Sequence, residues 1–212
     1  MTQEVNDKEL RFYSGAVELE EQREDGKRYL KYYAVLFNQI SRNMGGWYER
    51  ILPEAFDKAD VTEWVAKKNH DMNLILGASY AGTASYTKDS TGILCRILVG
   101  DTTTWLDTIK EVERGELRGA SFEFSLAQGG ARWITEKRGD INVEVREVVN
   151  IGKLWDLSPV VRPAYPGTMD KGVSVAKREY EQYLSAKEQR TEDETESPIA
   201  DIDLVTMELE IV

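Results

Sequence analysis

Gly115-Glu-Leu-Arg-Gly-Ala-Ser-Phe-Glu-Phe124 sets a turn of small residues and one serine between two segments of different periodicity. Upstream, Trp105, Ile109 and Val112 recur at helical spacing, with Asp101 and Thr102 to Thr104 available as caps and Gly115 as a stop. Downstream, Phe122, Phe124 and Leu126 alternate with Ser121, Glu123 and Ser125, the period of a half-buried strand. Ser121 is therefore expected near the first residue of a strand, on the face of Glu123, with a hydroxyl rigidly aimed and open to solvent, as a nucleophile requires. The same pattern describes an ordinary serine on a solvated strand face, and the residue alone does not separate the two.

A serine nucleophile needs a base, and the chain has a single histidine. It is His70, in Lys67-Lys-Asn-His-Asp-Met-Asn-Leu-Ile-Leu-Gly77, where a polar run gives way to an apolar one that reads as a buried strand. Asn69 and Asp71 flank it on alternate strand positions, so they are expected to face away from whatever His70 faces. A lone histidine also serves as a structural residue, and both roles stay open at this point.

The length of 212 residues suits one domain of about 170 residues with a tail. No run approaches the roughly 20 apolar residues needed to cross a bilayer, and Met1-Thr-Gln-Glu-Val-Asn-Asp7 has neither the basic nor the apolar region of a signal peptide. The expectation is a protein that stays where it is made and does not enter membranes. Cys95 is the only cysteine, so no internal disulfide forms and a core role is expected; one Cys and one His do not make a zinc site without several carboxylates. No phosphate loop or dinucleotide fingerprint is present, so no metal and no cofactor is expected.

The net charge of -11 argues against a nucleic-acid binder. Its distribution is uneven: residues 178–212 hold eleven acidic and three basic residues, which leaves a balance of only -3 for the first 177. Residues 1–170 are expected to form the folded domain, and 171–212 a charged, helical and partly disordered tail. Beyond about Lys177 that tail is expected to be dispensable for the fold.

Residues 9–20 and 28–37 read as a hairpin around the turn Glu24-Asp-Gly-Lys27. Pro53 suits the first turn of a short helix over 53–59, and Asp60 caps a second over 60–67. Strands follow over 72–77, 80–87 and 92–99, then over 121–127, 131–136, 141–149 and 152–157. Prolines 159, 163 and 166 mark a rigid segment crossing an edge or end of the sheet. The fold class is α+β, mainly antiparallel β with inserted helices.

Six stretches in this order, Tyr33-Ala-Val-Leu-Phe37, Glu49-Arg-Ile-Leu-Pro-Glu-Ala-Phe56, Asn69-His-Asp71, Leu76-Gly77, Gly115 to Phe124, and Leu154-Trp-Asp-Leu-Ser-Pro-Val160 with Pro163-Ala-Tyr-Pro-Gly-Thr168, carry a resemblance over about residues 10–168. Together they resemble the prohead protease family of tailed bacteriophages. The resemblance implies a herpesvirus-assemblin-like β-barrel surrounded by helices. It implies a serine endopeptidase that works inside the phage procapsid, in the host cytoplasm. Its partners would be the major capsid protein or a scaffold precursor, from which it cleaves scaffold or delta segments, and it often digests itself. Self-association into a homo-oligomer is left open. Within the family pattern, His70 matches the histidine after asparagine, and Ser121 the serine of Gly-x-Ser-Phe. The chain departs from that pattern at Glu123, where glycine is usual between the aromatics, at Asp156, where glutamate is usual, and at Glu54, where glycine is common.

On this resemblance His70 accepts the Ser121 proton and a buried carboxylate orients the imidazole. Herpesvirus proteases use a second histidine for that role, and this chain has none. Asp156 lies between Trp155 and Leu157 in an apolar strand, where an ionised carboxylate is costly without a partner, and His70 is an available one. Arg146, Lys153 or Arg162 could pair with it instead, and Glu144 and Glu147 are rival third members. Oxyanion donors are expected from the backbone, with the Arg162 N–H a candidate. A non-enzymatic scaffold or assembly protein is the alternative. A small-ester hydrolase is disfavoured because Gly-x-Ser-x-Gly is absent.

Overall fold

The computed structural model describes residues 8–14, 16–21, 26–161 and 174–196. Among these residues, twelve strands fall into three sheets. The largest has the order β1 (Glu9–Ser14), β9 (Gly119–Leu126), β12 (Ile151–Val160), β5 (Val65–Lys67), β6 (Ile75–Ala78). A second runs β2 (Val17–Glu21), β3 (Arg28–Leu36), β8 (Gly92–Leu98), β7 (Ala84–Lys88), and a third β10 (Ala131–Arg138), β11 (Ile141–Val148), β4 (Trp47–Ile51). Pairing is antiparallel except for β12 with β5 and β11 with β4. The mainly antiparallel architecture matches the sequence pattern, but among the described residues the sheets do not close into the expected barrel.

Period-two alternation builds the core. Leu30, Tyr32 and Ala34 on β3, Ile93, Cys95 and Ile97 on β8, and Phe122 and Phe124 on β9 are all buried in one cluster, which Leu154 and Leu157 of β12 join across the register shift between Leu154 and Asp156. The Phe122 and Phe124 rings stack at 4.8 Å between centroids. Helix α1 (Thr103–Glu113) enters as its sequence predicts: Thr102 Oγ1 accepts from the Trp105 N–H, and the Trp105 indole donates to the Leu76 carbonyl at 3.1 Å. At its end the Gly115 N–H bonds to Val112 O and the Glu116 N–H to Glu111 O. This closure puts Gly115 at φ 71°, a left-handed conformation that glycine adopts without strain, and turns the chain into β9.

Three expectations are corrected. Residues 9–20 are not one strand: β1 pairs with β9, and only β2 pairs with β3. Leu10 and Phe12 are even-numbered whereas Val17 and Leu19 are odd, so a continuous strand would have pointed the two sets to opposite faces. The helix over 60–67 is absent; Asp60 accepts from the N–H and hydroxyl of Thr62 in a tight turn, and buried Trp64 leads into β5. The helix over 53–59 contracts to a single 3₁₀ turn, Pro53–Phe56, that buries Ala55 and Phe56. Pro159 lies inside β12, where it lacks the N–H that would continue a ladder, while Pro163 and Pro166 lie outside the described residues.

Helix α2 (Ser174–Glu196) falls within the segment assigned to the tail, and its first turns lie on the small sheet. Tyr180 and Tyr183 cover Trp133 at 5.1 and 5.3 Å between ring centroids, Tyr180 also meets Trp47 at 6.0 Å, and Trp47 and Ala176 are fully buried. Beside this aromatic cluster, Arg146 of β11 donates to Glu9 of β1, Glu49 of β4 and Glu179 of α2 at 2.7–2.9 Å, while Arg11 pairs with Glu9 and Glu49. Burial disfavours the charge on Glu49, but the Arg11 and Arg146 guanidiniums outweigh it and hold the carboxyl below its ordinary value of 4.5. Among the described residues no helix is long and apolar enough to cross a membrane.

A chain ended at residue 176 should lose about 3 kcal/mol of stability, from the uncovered Trp47 and Trp133 and the lost Glu179 partner. A chain ended at residue 190 should stay within about 0.5 kcal/mol of the full protein. Urea midpoints check both. Replacing Arg146 by Met strips Glu9 and Glu49 of a buried cation and should cost about 3–5 kcal/mol. Because Glu49 is depressed in the folded state, its contribution is complete above the ordinary carboxylate range and is lost as pH falls through the folded value. Thermal midpoints followed from neutral pH into that acid range should therefore drop.

Candidate active site

β12 runs through the middle of the five-stranded sheet, and its polar face carries Asp156 and Ser158, two residues apart and both fully buried. On one side β9 places Ser121 directly opposite Ser158 and Glu123 opposite Asp156. On the other, β5 pairs Val65 with Asp156 and ends at Lys67, from which the chain enters a 3₁₀ turn, Lys68–His70. The Tyr32 hydroxyl donates to the Leu157 carbonyl at 2.8 Å and fixes the β12 backbone between the two polar residues.

The turn brings His70 back to the sheet. Asn69 and His70 adopt φ 54° and 61°, left-handed values costing about 1–2 kcal/mol each for ordinary residues, although asparagine tolerates them well. His70 is therefore not on a strand, and the expected alternation with Asn69 and Asp71 does not apply. Asn69 Oδ1 accepts from the Val161 N–H at 2.9 Å, tying the turn to the end of β12, and Asp71 accepts from Asn73. His70 Nδ1 lies 3.1 Å from Asp156 Oδ2, with the imidazole 19% exposed.

The two facing serines differ. Ser158 Oγ donates to Asp156 Oδ1 and accepts from the Lys67 N–H at 2.9 Å, so its hydroxyl is committed. Ser121 Oγ is buried with no hydrogen-bond partner among the described residues. Ser121 is the third residue of β9 and is 0% exposed, which corrects the expectation of an open strand end; its aim comes from β1 and β12 on either side.

The rival carboxylates lie elsewhere. Glu144 accepts from Tyr183 and Lys187 of α2, and Glu147 pairs with Arg50 and Arg132, all at 2.6–2.9 Å. Of the alternative partners for Asp156, Arg146 serves the cluster under α2, Lys153 reaches Asp60 and Glu63, and Arg162 lies outside the described residues, as does its suggested oxyanion N–H. Lys67, whose Nζ is 2.6 Å from Asp156 Oδ2, and Ser158 went unnoticed in the sequence. Ser158 had a signal, since it stands two positions after Asp156 and so shares its strand face.

A family model described as caudovirus prohead serine protease matches residues 16–186, a span that contains Ser121, His70 and Asp156. The chain belongs to that family. That family is one of serine proteases of tailed-phage prohead maturation, which supports a peptidase over a non-enzymatic scaffold protein. No curated protein matches the chain. Among solved structures, that of the bacteriophage T4 capsid assembly protease, gp21, is similar, with 11% identity and a TM-score of 0.43, over 73% of this chain and 99% of that one.

Proposed function

We propose that Ser121, His70 and Asp156 are the nucleophile, base and orienting acid of an endopeptidase that cleaves capsid or scaffold precursors inside the procapsid, and itself. The observation that carries this is the placement of His70 Nδ1 on buried Asp156, on the strand paired with the uncommitted Ser121 hydroxyl. With Nδ1 turned to the carboxylate, the other imidazole nitrogen is left to take the Ser121 proton as Oγ attacks the scissile carbonyl. The imidazolium then protonates the leaving amine, and water, activated by the same base, releases the acyl group from Ser121. Asp156 stabilises the imidazolium without itself taking the proton.

Ser121→Ala and His70→Ala should each abolish cleavage of the cognate capsid precursor, and the double variant should be no worse than either, because members of one unit are not additive. Folding, followed by circular dichroism, should be unchanged in Ser121→Ala. Cleavage by the native protein should slow as the medium is acidified, as expected of any mechanism that needs an unprotonated general base. Comparable turnover by Ser121→Ala, or a rate flat from neutral to mildly acidic pH, would overturn the assignment.

Asp156→Asn should lower turnover by about three to four orders of magnitude through loss of the imidazole's orientation. Glu144→Gln and Glu147→Gln should cleave normally. If instead one of the glutamine variants is the inactive one, the orienting role belongs to that glutamate.

A further inference from the structure

Two nitrogens approach Asp156 Oδ2: His70 Nδ1 at 3.1 Å and Lys67 Nζ at 2.6 Å. Lys67 is only 5% exposed, and lysine is rarely so buried unless paired. Its backbone is engaged in the same site, since its N–H donates to the Ser158 hydroxyl that itself donates to Asp156 Oδ1. The ammonium also lies 3.5 Å from Met72 Sδ. An ammonium held on a carboxylate has no lone pair with which to accept a serine proton, so Lys67 does not act as a second base.

We propose that Lys67 is a positioning residue of the catalytic unit: by sharing Asp156 Oδ2 with His70, its ammonium holds the buried carboxylate in place and limits how tightly that carboxylate retains a proton on the imidazole. This rests on His70 being the base, as proposed above. A carboxylate with no other cation would act on the imidazolium with its whole field. With the ammonium 2.6 Å from the same oxygen, part of that field is cancelled.

The remaining groups around Asp156 do not replace this charge. Glu123, opposite it on β9, is partly exposed and 3.6 Å from Lys8. Tyr32 on β3 and Cys95 on β8 are raised well above their ordinary values, by burial first and then by neighbouring negative charge, and so stay neutral. In the turn, Lys68 reaches Glu111 of α1 at 2.9 Å and Asp71 is bonded to Asn73. On β12 itself, Lys153 serves Asp60 and Glu63. Among the described residues, the Lys67 ammonium and the His70 imidazole are the nitrogen groups within ion-pair distance of Asp156.

His70 is the only histidine, so its ring carbon-bound protons give NMR signals free of overlap from other imidazoles, and these can be titrated in Ser121→Ala protein, where self-digestion is silenced. Lys67→Met should raise the titration midpoint by about one pH unit, because the imidazolium loses a nearby like charge and meets a less screened carboxylate, and the His–Asp pair titrates as a unit. The acid side of the pH–rate profile for precursor cleavage should move by the same amount in the otherwise native protein. Lys67→Gln, which keeps a hydrogen-bonding group without charge, should move both, and serves if the methionine variant unfolds. Lys67→Arg should leave both near the native position while lowering the rate. An unmoved midpoint in the two neutral variants, or an arginine variant shifted as far as they are, overturns the role of Lys67 alone. A native imidazole that titrates while cleavage ignores the same pH range overturns the base assignment, and the role of Lys67 with it.

Discussion

The buried carboxylate of Asp156 is the constraint around which the five-stranded sheet is arranged. Moving an ion of that size out of water costs several kcal/mol even after relaxation, so a fully buried aspartate on a central strand holds only if its neighbours supply charge and hydrogen bonds. β5 supplies Lys67, the turn after it supplies His70, and β12 itself supplies Ser158. The requirement explains why β5 lies parallel against β12, although only one residue pair, Asp156 with Val65, is in ladder register. Side chains do there what a longer ladder does elsewhere: the Lys67 N–H goes to a serine hydroxyl, and the Val161 N–H to an asparagine oxygen.

A second buried charge centre shows what the first is not. Under α2, Arg11 and Arg146 engage Glu9 and Glu49 through several guanidinium nitrogens each, an arrangement that joins β1, β4, β11 and α2. Guanidinium groups keep their protons at any working pH, so such a cluster is fixed and serves architecture. At Asp156 the partners are a lysine and an imidazole, and the imidazole is 19% exposed. An imidazole exchanges its proton within the physiological range, which makes this centre the one able to cycle between charge states. The rival glutamates of β11 belong to the architectural half of the molecule, tied to arginines or to α2.

Legibility in the sequence followed range. The path from α1 through Gly115 into β9 was readable because caps, helix period and strand period are written within 25 residues, and the structure places each of them. The strands from β7 to β12 were found for the same reason. The largest misreadings involve partners distant in sequence. The split between β1 and β2 is set by the pairing of β1 with β9, more than 100 residues away. β5 is held by β12, which overrode a plausible helix cap at Asp60. The packing of α2 was masked by its net acidity, while Tyr180 and Tyr183, three residues apart, carried the periodic signal that charge counting ignored. Ser121 and His70 were visible as residue types, and Asp156 as an acid out of place in an apolar strand. Lys67 was invisible, because nothing in a run of two lysines distinguishes the one that will meet Asp156 from the one that will meet Glu111 of α1.

The left-handed pair Asn69–His70 is where the fold and the chemistry make opposite demands. An extended chain continuing from β5 would alternate its side chains about the sheet, with no reason for the imidazole to meet β12. Two successive residues at positive φ reverse the backbone within one turn, at a cost that a β-branched residue would raise further. The compensation is visible at both residues: the Asn69 side chain accepts a backbone N–H from the end of β12, and the His70 ring meets the carboxylate that β12 carries. Both contacts fall on the same strand, so the turn is clamped to β12 by one neutral and one ionisable contact, and only the ionisable one weakens if Asp156 loses its charge. The asparagine that precedes the histidine thus has a physical reason to be there. It combines tolerance of the left-handed region with a neutral side-chain oxygen that reaches the Val161 N–H, and so ties the turn that carries His70 to the end of β12 without adding a charge beside Asp156.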